Sequence, residues 1–101
     1  MTEEMKNTLS EILEKTVEPI SGLSIANLAV VHGIKFNTLS EKFTVYLDKE
    51  RMTLVTSMFF YILGGIQLEN LLTEAIKKAY PQYNIRYFYM NGHRKTYTHL
   101  R

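Results

Sequence analysis

The chain has 101 residues, 46% of them hydrophobic, and a formal net charge of +2, which is enough to build one core and too little for two. It contains no cysteine, and that excludes a disulfide framework, a thiolate nucleophile and any cysteine-ligated zinc or iron-sulfur site. No apolar run reaches the roughly 20 residues of a membrane-spanning helix, and the polar opening Thr2-Glu3-Glu4 is unlike a signal peptide, so a cytoplasmic protein without membrane contact is expected.

Met5, Leu9, Ile12, Leu13 and Val17 recur at the spacing of an amphipathic helix and predict one over residues 2–17. Thr2 is placed to cap it, and Glu3 and Glu4 suit its positive end. Pro19 pushes Glu18 toward extended backbone and Gly22 permits a tight turn, so the helix ends near Val17. Residues 25–36 read as a strand, with Leu28, Val30, His32, Ile34 and Phe36 on one face and Ala29, Val31, Gly33 and Lys35 on the other. A polar turn over 37–41 leads into a second, antiparallel strand over 42–47.

Residues 52–63 have no clean period. A helix there would merge with the next one and hold Gly64 and Gly65 in its interior, at about 1 kcal/mol each. Thr53, Val55, Thr56, Phe59, Phe60 and Tyr61 favour extended backbone instead, so the expectation is a strand followed by a Gly64-Gly65 loop. Leu68, Leu71, Leu72, Ala75, Ile76 and Ala79 then form a helical stripe over 66–80, with Lys77 and Lys78 in its last turn and Pro81 as its stop. A final strand covers 84–90. The expected fold is α+β, two helices packed on one face of a small mixed sheet of three or four strands in the order α-β-β-(β)-α-β. Residues 1–92 form one domain and 93–101 a basic tail.

Across residues 16–34 the pattern Val17-Glu18-Pro19, then Gly22, then Ser24-Ile25-x-Asn27-Leu28-x-Val30-Val31-x-Gly33-Ile34 resembles the iron-sulfur cluster assembly domain found alone, in SufT-type proteins and at the N-terminus of Mrp-type carrier ATPases. The family turn reads roughly Asp-Pro-Glu-x-Gly and its strand Ile-x-x-Leu-Gly-Leu-Val. Ile20 stands where the family has an acid, and Ala29 where it has glycine. The resemblance implies a helix-strand-strand-helix-strand order and a functional cysteine, in a Cys-Pro pair just before the second helix. That place falls at about Leu63-Gly64. A chain without a thiol there would have lost the family's cysteine-dependent chemistry.

Four residues outline a candidate cleft: Glu18, His32, Gly64 and Gly65. For each there is a plainer role beside the functional one. Glu18 is placed to accept hydrogen bonds from turn N–H groups. His32 reads as a partly buried, hydrogen-bonded side chain before it reads as a metal ligand. Gly64-Gly65 could present N–H groups to an anion, but without a following Lys-Ser/Thr it is first a strand-to-helix turn. His93 and His99 lack a carboxylate beside them, and Ser21, Ser24, Ser40 and Ser57 lack a nucleophile context. No catalytic residue, metal site or cofactor is expected.

Charge is lopsided. Residues 1–74 hold six Lys/Arg against ten Asp/Glu, and residues 75–101 hold six Lys/Arg and no acid. Arg86, Arg94, Lys95 and Arg101, interleaved with Tyr87, Phe88, Tyr89 and Tyr97, are candidate contacts for nucleic acid or another anion. The first expectation is a non-catalytic accessory domain acting through a protein partner or a second copy of itself. A separate reading is an interaction module in which Met52, Met58, Phe59, Phe60 and Tyr61 form an exposed patch or edge strand that pairs with another copy. An anion- or nucleic-acid-binding module is the alternative.

Overall fold

A computed structural model describes the backbone of residues 1–58, 65–91 and 96–99, and the side chains of 1–54 and 68–90. The fold is α+β. In chain order it comprises α1 (Glu3–Lys15), α2 (Ile25–Leu28), β1 (Val31–Asn37), β2 (Lys42–Asp48), α3 (Lys49–Met58), α4 (Gly65–Ala79), β3 (Asn84–Asn91) and β4 (Thr96–His99). The sheet order is β1-β2-β3-β4, with β2 and β3 parallel and the two outer pairs antiparallel. A parallel pair needs a long connection from one end of the sheet to the other, and α3 and α4 lie within it.

Register sorts the side chains onto two faces. The cross-strand rows Phe36–Phe43–Ile85, Ile34–Val45–Tyr87 and Val31–Leu47–Tyr89 face the helices and join Leu9, Ile25, Leu28, Leu68, Leu72 and Ile76 in one core. The rows that alternate with them, Asn37–Lys42–Asn84, Lys35–Thr44–Arg86, Gly33–Tyr46–Phe88 and Asp48–Met90, form the opposite face. Phe36 and Phe43 close the lower end of the core with Tyr80 and Tyr83, whose rings lie 4.8–5.9 Å from their neighbours. Thr2 caps α1 through its hydroxyl, which accepts from the Met5 N–H at 3.1 Å.

Three expectations are corrected. Residues 49–58 are helical where 52–63 were expected to be a strand; residues 59–63 lie outside those described. Tertiary contacts outweigh the β propensity of Thr53 and Val55. Asp48 accepts from the Arg51 N–H at 2.9 Å and so starts the helix, the Arg51 guanidinium donates to the Leu28 carbonyl at 3.0 and 3.2 Å, and Met52 is buried in the core. Ile25–Leu28 is a single helical turn rather than the start of β1. Ser24 caps it by accepting from the Asn27 N–H at 3.1 Å, and Ala29 ends it in the left-handed region at φ 58°. Finally, Thr96–His99, expected in a tail, pair with Phe88–Asn91 as a fourth strand.

Candidate functional site

The acidic side chain before Pro19 organises the loop between α1 and α2. Glu18 is 1% exposed, and its two carboxylate oxygens accept from the backbone N–H groups of Ile20, at 2.8 Å, and Ser21. Its own N–H donates to the Leu23 carbonyl at 2.8 Å and its carbonyl accepts from Gly22 at 2.9 Å. The loop is closed behind it by the Val17–Ser24 bridge and by the Ile25 N–H donating to Thr16 at 2.9 Å. Gly22, at φ +73°, supplies the left-handed residue the turn needs. With Glu18 holding the loop from inside, Val17, Ile20 and Leu23 are turned out at 51%, 58% and 41% exposure, with Pro19 also exposed beside them.

His32 occupies a β-bulge. Val31 pairs with Leu47 and Gly33 with Tyr46, so one residue of β1 has no opposite number, and that residue is His32. Its side chain is exposed and borders a groove against α1 lined also by Lys6, Leu9, Ser10 and Leu13. Glu18 does not line that groove. Gly65 is the first residue of α4, and Gly64 lies outside the described residues. The expected cleft of these four residues is therefore not assembled by the described residues: one acid is sealed inside a loop and the histidine faces out from a strand.

Among the expected anion contacts, Arg86 is described and Arg94, Lys95 and Arg101 are not. Arg86 lines a groove of about 400 Å³ together with Lys42, Thr73, Lys77, Asn84 and Ile85. Its guanidinium carbon lies 5.9 Å from the centre of the Phe88 ring. Phe88 in turn stacks on Tyr46 at 5.9 Å, and the Lys35 ammonium lies 5.6 Å from the Tyr46 ring centre. Cation, ring, ring and cation thus run in sequence across three strands.

The sequence reading missed Glu69. It is 2% exposed on the sheet-facing side of α4 and accepts from the Tyr89 hydroxyl at 2.9 Å. The Tyr87 hydroxyl donates to the Glu69 carbonyl at 3.0 Å and shares a 2.6 Å hydrogen bond with Thr73. A signal was present: Glu69 falls within the Leu68–Leu72–Ile76 stripe, and two tyrosines alternate on β3 where an apolar strand would carry aliphatic residues. The burial of this carboxylate is offset in part because the sheet it faces supplies a hydrogen bond to Oε2. No set of three or more His, Asp and Glu side chains able to hold a metal occurs among the described residues. None of their helices is long and apolar enough to cross a membrane.

No protein-family model, curated protein or solved structure matches the chain.

Proposed function

We propose that the chain is a non-catalytic accessory domain that works by protein contact, a divergent relative of the iron-sulfur cluster assembly domain from which the thiol chemistry has gone. The observation that carries this reading is the loop between α1 and α2. In the resembling motif the turn has an acid before its proline and a glycine three residues after the proline, and a second glycine lies in the segment that follows. In this chain the acid is Glu18, sealed under the turn, and Gly22 is left-handed. Ala29, which replaces the second glycine, still has φ 58°, a conformation that costs an L-residue about 1–2 kcal/mol and costs glycine nothing. The backbone keeps a requirement that the residue no longer suits, as a diverged member of such a family would.

The same loop supplies the contact surface. Isolated exposed apolar residues need no explanation, but Val17, Pro19, Ile20 and Leu23 are held together by a turn whose polar groups are satisfied inward. A rigid apolar projection of this kind loses little conformational entropy when a partner covers it. With no cysteine in the chain, any role in iron-sulfur assembly is that of an adaptor, carried out beside a protein that holds the cluster. The protein that covers the loop is expected to be such a partner or a second copy of this chain.

A photoreactive amino acid placed at Ile20 in the intact protein, in its own host, tests the reading. The expected result is a discrete covalent protein adduct at Ile20 and none from the same residue at Leu39, which is 96% exposed on the β1–β2 turn. Equal labelling at both positions, or none at Ile20, removes the loop as a contact surface.

A further inference from the structure

The face of the sheet turned away from α1 and α4 carries a second, chemically different surface. Its rows Asn37–Lys42–Asn84, Lys35–Thr44–Arg86 and Gly33–Tyr46–Phe88 contain three cations and two aromatic rings and no acid; the next row, Asp48–Met90, carries an acid whose carboxylate accepts from the Arg51 N–H at the start of α3. At the lower end of β2 and β3, Lys77 from α4 converges with Lys42 and Arg86 on the groove that also holds Thr73 and Asn84. Among the described residues no carboxylate lines it. In a chain with ten acidic residues, three positive side chains converging on one concavity without a counter-ion create a local positive potential. Arg86 belongs to both features, because its guanidinium reaches the Phe88 ring as well as the groove.

We propose that this surface binds single-stranded nucleic acid, with a backbone phosphate in the Lys42–Lys77–Arg86 groove and an adjacent base against the half-buried Tyr46–Phe88 pair. Cations serve the phosphate and rings serve the base, and a strand whose bases are unpaired presents both at once. Successive rows on one face of a strand are about 6.6–7 Å apart, a spacing an extended nucleotide chain can follow. Duplex nucleic acid offers the same phosphates with its bases stacked away from the rings. Gly33 completes the aromatic row without a side chain, and a Cβ built there meets nothing within 4 Å, so the space beside Tyr46 on the β1 side is open. This proposal does not depend on the protein-contact role of the α1–α2 loop.

Fluorescence anisotropy of the full chain with a labelled oligothymidylate of about twelve nucleotides tests it. With one phosphate neutralised in the groove, affinity is expected to fall roughly two- to three-fold between about 50 and 200 mM salt, and to be weakened, with a shallower salt dependence, in each of Lys42→Gln, Lys77→Gln and Arg86→Gln. Tyr46→Leu is expected to weaken binding about ten-fold with the salt dependence unchanged; circular dichroism checks that each variant is folded, and Phe88→Leu replaces any that is not. Lys6→Gln, on α1 and outside the Lys42–Lys77–Arg86 groove, is expected to behave as the parent. The proposal is overturned by absence of binding at low salt, by a duplex of equal length binding as well, by an equal effect of Lys6→Gln, or by displacement of the oligonucleotide by equimolar inorganic phosphate, which would mark a small-anion site.

Discussion

Ala29 and Gly22 adopt nearly the same backbone conformation, at φ 58° and 73°, with different side chains. For Ala29 the left-handed region costs about 1–2 kcal/mol, and replacing it with glycine relieves that strain while enlarging the freedom of the unfolded chain by roughly 0.4–1 kcal/mol. The net expectation for Ala29→Gly is a gain of about 0.5–1 kcal/mol. Gly22→Ala should do the reverse, losing about 1 kcal/mol through backbone strain alone, since a Cβ at that position meets nothing within 4 Å. Urea denaturation of the two single variants checks the pair. Equal signs for the two would mean that one of the backbone conformations is different from that described.

At the scale of elements, the bulge in β1 decides which side chains reach the core. Alternation counted through His32 puts Val31 opposite to Ile34 and Phe36; the extra residue restores all three to the helix-facing side. A single-residue slip in a strand turns every later side chain to the other face, so deletions in β1 should differ sharply by position. Deleting His32 leaves Val31 opposite Leu47 and Gly33 opposite Tyr46 in regular pairing, and the variant is expected to unfold within a few degrees of the parent. Deleting Lys35 carries Ile34 or Phe36 out of the core and is expected to prevent folding. Thermal melts followed at the far-ultraviolet helix signal distinguish the two, and equal loss in both would remove the bulge from the account.

The bulge also shows why parts of the chain were legible and others were not. Helices α1 and α4 and strands β2 and β3 could be read because each has one periodic apolar face set against one partner surface, and their limits agree with the sequence reading to within a residue or two. Residues 49–58 could not be read in this way. Their helix is held by Asp48 at its start and by Arg51 reaching the Leu28 carbonyl across 23 positions of sequence, and no local pattern records such a contact. The short turn at Ile25–Leu28 was hidden by its own composition, since an apolar run of four residues fits helix and strand equally well. For the candidate site, the role of Glu18 as acceptor for the turn was legible from the proline beside it. The basic groove was not, because it joins Lys42, Lys77 and Arg86 from three separate elements.

Over the whole molecule, the arrangement is one core with two unlike outer surfaces. Leu9 on α1 and Ile25 and Leu28 on α2 are buried in the same cluster as Phe43, Val45 and Leu47 of the sheet and Leu72 and Ile76 of α4. The first helix is further tied down by the Thr16–Ile25 hydrogen bond and the Val17–Ser24 bridge. No described helix has a core of its own, so none can melt while the rest remains ordered, and a small single domain of this kind unfolds in one step. Two probes placed at opposite ends can test this. Far-ultraviolet circular dichroism is dominated by the helices, whereas near-ultraviolet dichroism reports the tyrosines, among them Tyr80 and Tyr83 packed on Phe36 and Phe43. In urea the two are expected to give one midpoint and one slope. Leu72→Ala, at a fully buried position, should move both midpoints together by the equivalent of about 2–5 kcal/mol. Helix signal that outlasts the tyrosine signal, or the reverse, would mean that α1 and the aromatic end of the sheet belong to separate cooperative units.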